Sequence, residues 1–263
     1  MIGISGIGVV GGSVSRVFEK KKINVIKYDK YKNDYNDISR LLKCYIIFLC
    51  LPTLFSKELK EYDKNAIHDN CKYLMNNKYK GLVVLKSTIE PGVTRELSNK
   101  YKLNMLFNPE FLSARTAYED FKNQEHIVIG GRTKDDKNIL ILEKFYKKYW
   151  ENTNISKSVY EEAEMMKIGV NSFYAVKIQF FNEIYLLMQK YKNTDYNNVI
   201  EMMLKNGWIS PHHTKVPGTD GKLSYGGMCF PKDTNALNEL MKRKGTLNNV
   251  LNSTILERNM IIE

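Results

Sequence analysis

The sequence feature that most constrains the fold is a glycine-rich turn close to residue 1. Ile2 to Ser5 reads as a buried strand, and a helix is predicted from the turn to about Lys20. Between the two lies a complete G-x-G-x-x-G sequence, formed by Gly6, Ile7, Gly8, Val9, Val10 and Gly11. In such a turn the first glycine permits the tight bend, the second lets the backbone approach a pyrophosphate, and the third lets the helix pack on the strand. The pattern predicts a dinucleotide-binding unit, with an ordinary strand-to-helix turn as the alternative.

A carboxylate follows the second predicted strand. Ile23 to Tyr28 reads as this strand, and Asp29 comes directly after it. An acid at this distance from the glycines binds the hydroxyls of the adenosine ribose. It favours NAD over NADP because it repels a 2′-phosphate. Lys30, the next residue, leaves that preference open.

Strands continue to alternate with helices over the first 150 residues or so. Further strands are predicted at Cys44–Leu51, Leu82–Lys86, Met105–Phe107 and His126–Gly130, with helices at Lys57–Tyr79 and Asp135–Trp150. This alternation predicts an α/β fold of Rossmann type, with a doubly wound, mostly parallel sheet. Ligands bind such sheets at the carboxyl ends of the strands. The residues at these predicted ends are Pro52, Thr53, Ser87, Thr88, Glu110, Phe111 and Leu112. Taken singly, each polar residue among them is by default a turn or cap residue.

The pattern changes near residue 155, after which no further strand is predicted. Glu161 to Tyr191 reads as one long helix, on which Lys167 and Asn171 lie four residues apart on the same face. A solvated surface is the ordinary alternative for such a pair. Two further helices are predicted, around 235–243 and 247–262. We therefore expect a NAD-binding Rossmann domain over residues 1–155 and a helical domain over residues 156–263.

A reactive cysteine is predicted in the stretch YGGMCFPKD, which runs from Tyr225 to Asp233. Lys232 lies three residues after Cys229, and a thiol near a cationic side chain loses its proton more easily. Asp233 is a candidate for positioning a water or accepting its proton. The alternative is a buried structural cysteine. The preceding loop, from Pro211, carries glycines, prolines and histidines, which favours a ligand-binding role.

Composition limits the partners. The chain has 40 Lys and Arg against 29 Asp and Glu, a net charge of +11, which suits an anionic partner. The lysines are spread along the chain, so a nucleotide-type ligand is favoured over nucleic acid. The longest apolar run, Tyr45 to Leu51, is too short to span a membrane, and no leader peptide is expected. Four cysteines without C-x-x-C spacing predict a reducing, cytoplasmic setting and no metal site.

Several motifs, in order over nearly the whole chain, resemble the UDP-glucose/GDP-mannose dehydrogenase family. They are GIGVVG, LPT after the third strand, KST followed by a proline, NPEFL, the E-x-x-K-x-x-x-N helix leading into Lys177, Asn182 and Glu183, and GGMCFPKD. The resemblance implies NAD-dependent oxidation of the C6 alcohol of a nucleotide sugar to the acid in two hydride transfers. UDP-glucose, giving UDP-glucuronate, is the expected substrate, because FPKD after the cysteine is similar to that branch.

The resemblance also implies roles for individual residues. Cys229 would form a thiohemiacetal and then a thioester, Lys167 would stabilise the oxyanion, and Asn171 would assist it. Proton transfer and the hydrolytic water would be handled by Glu110, Thr88 and Asp233. Cofactor binding is expected from Gly6, Ile7, Gly8, Val9, Val10, Gly11, Asp29, Pro52, Thr53, Ser87, Thr88 and Lys232. Substrate binding is expected from Glu110, Phe111, Leu112, Lys167, Asn171, His213, Gly218, Tyr225 and Gly226.

The chain departs from the family at two positions and in length. Ala114 stands where members commonly have a second acid, and Met228 stands where the residue before the cysteine is usually small. We expect the family's third, C-terminal domain to be missing. A catalytically silent binding protein, a different UDP-sugar or GDP-mannose dehydrogenase and a 3-hydroxyacid dehydrogenase are the alternative functions. A homodimer built on the long helix is expected from the apolar positions Ile168, Phe173, Val176, Phe180, Ile184 and Leu187.

Overall fold

The computed structural model describes residues 1 to 262, and its largest element is a seven-stranded sheet in the order β2-β1-β3-β6-β7-β8-β9. The strands are β1 (Ile2–Ser5), β2 (Val25–Tyr28), β3 (Ile46–Leu49), β4 (Phe55–Ser56), β5 (Glu61–Tyr62), β6 (Leu82–Leu85), β7 (Asn104–Phe107), β8 (His126–Gly131) and β9 (Asn154–Val159). The five strands from β2 to β7 in this order are parallel, β8 is antiparallel to β7, and β9 is parallel to β8. The predicted α/β fold with a mostly parallel sheet and a helical region is confirmed.

Helices connect the strands and make up most of the chain beyond the sheet. They are α1 (Val9–Lys20), α2 (Asn65–Asn76), α3 (Val93–Tyr101), α4 (Ala117–Lys122), α5 (Lys137–Tyr149), α6 (Tyr160–Met188), α7 (Tyr196–Lys205), α8 (Phe230–Arg243) and α9 (Asn249–Ile262). Two 3₁₀ turns, Asn33–Tyr35 and Ile38–Lys43, lie between β2 and β3. The long helix α6 has 29 residues and matches the predicted one closely. The helices α3 and α4 were not predicted from the sequence.

The prediction that strands end with residues 126–130 is wrong, because β9 follows α5 and pairs in parallel with β8 along six residues. β9 reads NISKSV, and none of its side chains is fully buried. Charged and polar residues are usual on an edge strand, where they discourage pairing with another chain. Such a strand lacks the apolar periodicity from which strands are predicted.

The predicted helix from Lys57 to Tyr79 is wrong in its first third. β4 and β5 pair there as a short antiparallel hairpin, and α2 begins only at Asn65. Tyr62 is wholly buried, and its N–H donates to Oε1 of Glu90 at 3.0 Å. This hairpin is thus anchored by a contact 28 residues away, which a local pattern does not contain.

Two apolar cores cover the two faces of the sheet. Within β3, Ile46 and Phe48 belong to one core, and Ile47 and Leu49 belong to the other. Side chains of a strand point alternately to opposite faces, so a strand buried on both faces reads as a continuous apolar run. The polar residues that follow these strands are therefore the first groups with access to a ligand.

The chain divides into two compact units, Met1–Lys167 and the part from Ile168 onward. The predicted boundary at residue 155 would separate β9 from β8, to which β9 is hydrogen-bonded in the first unit. The second unit has a small core of its own, formed by Phe181, Tyr196, Ile200 and Val216. Within residues 1 to 262, no helix is both long enough and apolar enough to cross a membrane.

Candidate functional site

The glycine turn adopts the geometry that its sequence predicts. Gly6 has φ +88°, a left-handed conformation that side chains disfavour. A Cβ at Gly11 would fall on the carbonyl oxygen of Gly6, so the close packing of helix on strand requires a glycine there. A Cβ at Gly8, by contrast, would meet nothing within 4 Å. The space beside the middle glycine is therefore open to a ligand.

Asp29 lies directly against this turn. Its Oδ2 accepts a hydrogen bond from the N–H of Ile7 at 2.8 Å, and its Oδ1 accepts one from the N–H of Tyr31 at 3.0 Å. Lys32, which the sequence reasoning did not single out, donates from Nζ to the carbonyl of Ile7 at 2.7 Å. It lies in an irregular loop, where no periodicity would have pointed to it. Asp29 and Lys32 thus bind the N–H and the carbonyl of the same residue, Ile7, and fix the two peptide groups on either side of it.

These residues fit a dinucleotide. Gly8 is the N-cap of α1 and has no side chain to bond the first N–H groups of the helix. A free helix N-terminus binds a pyrophosphate, since its N–H groups and dipole favour negative charge. A carboxylate has lone pairs for more than two donors, so Asp29 would still accept bonds from ribose hydroxyls. The turn and Asp29 together would hold the two ends of an adenosine diphosphate group.

The ends of β3 and β6 are joined by one hydroxyl. Oγ of Ser87 accepts from the N–H of Leu51 and donates to its carbonyl, each at 2.8 Å. Thr53 and Thr88 are both buried, whereas Pro52 is exposed. These predicted cofactor residues therefore lie at the expected edge of the sheet, and Ser87 fixes the spacing of the two loops.

A buried lysine and an acid meet after β7. Lys167 donates from Nζ to the carbonyl of Glu110 at 2.5 Å and lies 3.4 Å from its Oε1. The lysine also lies over the ring of Phe111 at 5.3 Å. Oε2 of Glu110 accepts from the N–H of Leu112 at 2.6 Å, which fixes the carboxylate. The first unit thus brings together four residues that the sequence predicted for the site.

A second lysine, Lys86, lies at the same edge and was not among the predicted residues. Its Nζ donates to the backbone carbonyl of Asn108 at 3.1 Å and to Oδ1 of Asn108 at 3.0 Å. Burial lowers the pKa of Lys86 to about 8. Two lysines, Lys86 and Lys167, therefore hold the backbone of the segment from Asn108 to Glu110. The signal was its place in the KST motif, directly before the predicted Ser87 and Thr88.

In the second unit, Cys229 is the N-cap of α8 and is exposed. Its carbonyl accepts the N–H of Asp233 at 3.0 Å, the first hydrogen bond of the helix. Gly227, with φ +75°, turns the chain just before it. A helix N-terminus stabilises negative charge, and a thiolate placed there is favoured by the helix dipole. The alternative of a buried structural cysteine is excluded.

Asp233 lies in the first turn of α8, four residues after Cys229, and has no exposed surface. Its Oδ1 pairs with Nζ of Lys232 at 2.5 Å, and its Oδ2 accepts from Nδ2 of Asn171 at 2.6 Å. A buried carboxylate is stabilised when both oxygens are bonded in this way. The second unit therefore brings together Asn171, Lys232 and Asp233 at the base of the helix that begins after Cys229.

The loop before the cysteine is held mainly through its backbone and its aromatic rings. Tyr225 is buried, its carbonyl accepts from Nε of Arg258 at 2.9 Å, and Gly226 beside it is exposed. Gly218 lies in a tight turn, closed by its N–H to the carbonyl of Lys222 at 2.9 Å.

His213 packs among aromatic rings. Its ring lies 4.6 Å from that of Tyr174 and 5.6 Å from that of Phe230. Burial, followed by the nearby His212 and Lys177, lowers the pKa of His213, which favours the neutral form of the ring. Phe230 directly follows Cys229, and the histidine thus packs against the helix start that carries the thiol.

Comparisons with known proteins agree with these features. The NAD binding domain of the UDP-glucose/GDP-mannose dehydrogenase family matches residues 30–150, and the central domain of the same family matches residues 161–259. The UDP-glucose 6-dehydrogenase of Rickettsia bellii is 31% identical over 246 residues, covering 87% of this chain and 50% of the relative. That of Campylobacter jejuni is 29% identical over 216 residues, covering 81% and 52%. The chain spans about half the length of these curated relatives.

Solved structures show the same fold. A UDP-glucose dehydrogenase from Pyrobaculum islandicum superposes with a TM-score of 0.85 at 24% identity, covering 98% of this chain and 67% of that one. A UDP-D-ManNAc dehydrogenase from Pyrococcus horikoshii superposes with a TM-score of 0.83 at 18% identity, covering 99% and 68%. The resemblance drawn from the motifs is confirmed, and NAD is the cofactor of the matched domain. By its two matched domains, the chain belongs to the UDP-glucose/GDP-mannose dehydrogenase family.

Proposed function

We propose that the protein oxidises the C6 alcohol of a nucleotide sugar, UDP-glucose, to the carboxylate of UDP-glucuronate. The observation that carries the proposal is the exposed thiol of Cys229 at the start of α8, above a buried carboxylate bonded to Lys232 and Asn171. A thiol that only packs in a core has no need of either arrangement. A nucleophile that forms a covalent intermediate needs both an anionic form and a group that handles the water.

The overall reaction balances as one alcohol, two NAD⁺ and one water giving one carboxylate, two NADH and three protons. When bound, held by the glycine turn and Asp29, NAD would supply the hydride acceptor for each of two successive oxidations at C6. After the first, the Cys229 thiolate adds to the carbonyl carbon of the aldehyde, forming a C–S bond and an alkoxide. After the second, the product is a thioester, whose C–S bond is broken by water to release the acid and the thiol.

The other predicted residues have separate parts in this scheme. Lys167, an ammonium held at the carbonyl of Glu110, would stabilise the negative oxygen that develops at C6. Asp233 would accept the proton of the attacking water, since both of its oxygens are already oriented by Lys232 and Asn171. Glu110 and Thr88 would orient or deprotonate the alcohol. Each role is supported by the residue's contacts and by its match to the family's motifs.

UDP-glucose is proposed as the substrate because three curated relatives that match 81%, 87% and 86% of this chain are UDP-glucose 6-dehydrogenases. The solved neighbours include enzymes named for UDP-D-ManNAc and GDP-mannose, so the identity of the sugar is a more specific claim than the type of reaction and needs its own test. The test is NADH formation with a panel of UDP-sugars, GDP-mannose and 3-hydroxyacids. Turnover of UDP-glucose alone supports the proposal. Turnover of a 3-hydroxyacid, or NADH binding without any turnover, contradicts it and favours the alternatives.

We further propose that the protein acts as a homodimer through α6. Phe173, Phe180 and Leu187 are 61%, 48% and 53% exposed, although they are large and apolar. They are spaced by seven residues, so they form one stripe along the helix, the spacing at which helices pair side by side. Ile168, which was expected on the same surface, is fully buried and does not contribute.

A further inference from the structure

One buried acid, Glu164, lies outside the proposed catalytic set. It lies near the start of α6, one turn before Lys167, and has no exposed surface. Its Oε2 accepts from the N–H of Gly92 at 2.6 Å, and its Oε1 accepts from the N–H of Thr94 at 2.8 Å. These two N–H groups open α3, whose N-cap is Gly92. A side chain from one helix therefore caps the start of another.

We infer that Glu164 is a positioning residue, whose carboxylate fixes both the loop from Ser87 to Gly92 and the turn of α6 that carries Lys167. The inference rests on the proposed function, in which Lys167 acts on the sugar, and on the expectation that Ser87 and Thr88 in this loop bind the cofactor. Glu164 itself is fully buried and would touch neither ligand. It acts through the two backbone groups that it holds.

The loop is anchored at several points, of which Glu164 is the last along the chain. Ser87 ties its beginning to Leu51. In its middle, Glu90 accepts from the N–H of Tyr62 at 3.0 Å and from Nζ of Lys64 at 3.4 Å. Thr88 lies between these anchors. Release of Gly92 from Glu164 would free the end of the loop while the beginning stayed fixed.

An ionised carboxylate is required for this arrangement. Both N–H groups are donors, and a protonated acid presents a hydroxyl donor in place of one acceptor. Burial raises the pKa of Glu164 to about 7, against the lowering effect of its hydrogen bonds. The charged groups that act on it are Arg95 on α3 and Glu161 on α6, which pair with each other at 2.5 Å. Because this pKa is raised, a fall in pH protonates Glu164 and weakens the anchor closer to neutral pH than it would for an exposed glutamate.

A glutamine at this position would have the same shape without a charge to bury. Its amide, however, has one acceptor and one donor group, so it leaves one of the two N–H groups without an acceptor. The two equivalent acceptors of the acid are therefore what orders the end of the loop.

The test is the affinity for NADH, followed by fluorescence at pH 6 and pH 8, for the wild type, Glu164→Gln and Glu161→Gln. If only the ionised form binds well, the wild-type Kd rises about tenfold from pH 8 to pH 6. Glu164→Gln should show one Kd at both pH values, close to that of the wild type at pH 6. Glu161→Gln, at a neighbouring acid that also joins α6 to α3, should keep a pH-dependent Kd, with the change moved to lower pH because Glu161 raises the pKa of Glu164.

A wild-type Kd that does not change with pH overturns the inference, and this measurement needs no variant to fold. A Glu164→Gln protein that keeps the wild-type response also overturns it. With UDP-glucose as substrate, kcat of Glu164→Gln at pH 8 should fall about tenfold while Glu161→Gln stays unchanged. If no protein turns over UDP-glucose, the proposed function fails, and the NADH titration still decides the role of Glu164.

Discussion

Replacing Glu164 by glutamine should remove a pH-dependent part of the stability of the protein. Burial raises the pKa of this acid from 4.5 to about 7 in the folded chain. A carboxyl whose pKa is raised by folding stabilises the folded state fully below the unfolded pKa, and this contribution is lost as the pH rises through the folded pKa. For Glu164 the stabilisation is therefore present at pH 4 and lost between about pH 4.5 and pH 7.

The difference between the two pKa values corresponds to about 3 kcal/mol. The free energy of unfolding of the wild type, minus that of Glu164→Gln, should therefore fall by about 3 kcal/mol between pH 4 and pH 8. The amide also places a donor against one of the two N–H groups, at a cost of about 1–3 kcal/mol. That cost is the same at every pH, so it shifts the difference without changing its slope.

Urea unfolding at several pH values between 4 and 8 measures this difference. Glu183, whose hydrogen bond to Glu257 raises its pKa to about 7, titrates in the same range. It is present in both proteins, and its effect cancels in the subtraction. Glu161→Gln is the matched control, since burial does not dominate the pKa of Glu161, which its hydrogen bond to Arg95 lowers. A difference for Glu164→Gln that stays constant or grows with pH would refute the reasoning.

Three further predictions concern the cofactor, the chemistry and the assembly. Asp29→Ser should lower the ratio of kcat/KM with NAD to kcat/KM with NADP, because the repelling carboxylate is removed while Lys32 remains to attract a 2′-phosphate. Equal use of both cofactors by the wild type would contradict this prediction. Asp233→Asn should accumulate a covalent adduct on the Cys229 thiol, detected by intact mass spectrometry. Hydrolysis of the thioester by this variant at the wild-type rate would exclude Asp233 from the hydrolytic step. Light scattering should give twice the chain mass of 30.6 kDa for the wild type and for a Trp208→Glu control, and one chain mass for Phe180→Glu; a monomeric wild type would contradict the dimer.

The first half of the sheet was predictable because its determinants are local. Gly6, Gly11 and Asp29 lie within one βαβ unit, and the strands buried on both faces read as apolar runs. The hairpin of β4 and β5 was not predictable, since its two-residue strands are fixed by a contact with Glu90. β9 was not predicted because its sequence, that of a polar edge strand, lacks the alternation of apolar and polar residues from which strands are recognised.

The candidate site divides in the same way. Residue types and spacing pointed to Cys229, Lys232 and Asp233, which are neighbours in sequence. The bond of Asn171 to Asp233 spans 62 residues and was not predicted, although the resemblance to a family had implied a role for each of the two residues. Glu164 and Lys86 belong to recognised motifs, yet their roles follow from backbone groups that they reach only in the folded chain.

The central claim is that Cys229 carries the sugar between two oxidations. The most direct test measures the NADH formed per UDP-glucose consumed, together with the acid released, for the wild type and for Cys229→Ser. Covalent catalysis by Cys229 predicts two NADH and one UDP-glucuronate per sugar for the wild type, and no acid release by Cys229→Ser. Acid formation by Cys229→Ser at the wild-type rate would contradict covalent catalysis, and one NADH per sugar with the aldehyde as product would contradict the second oxidation.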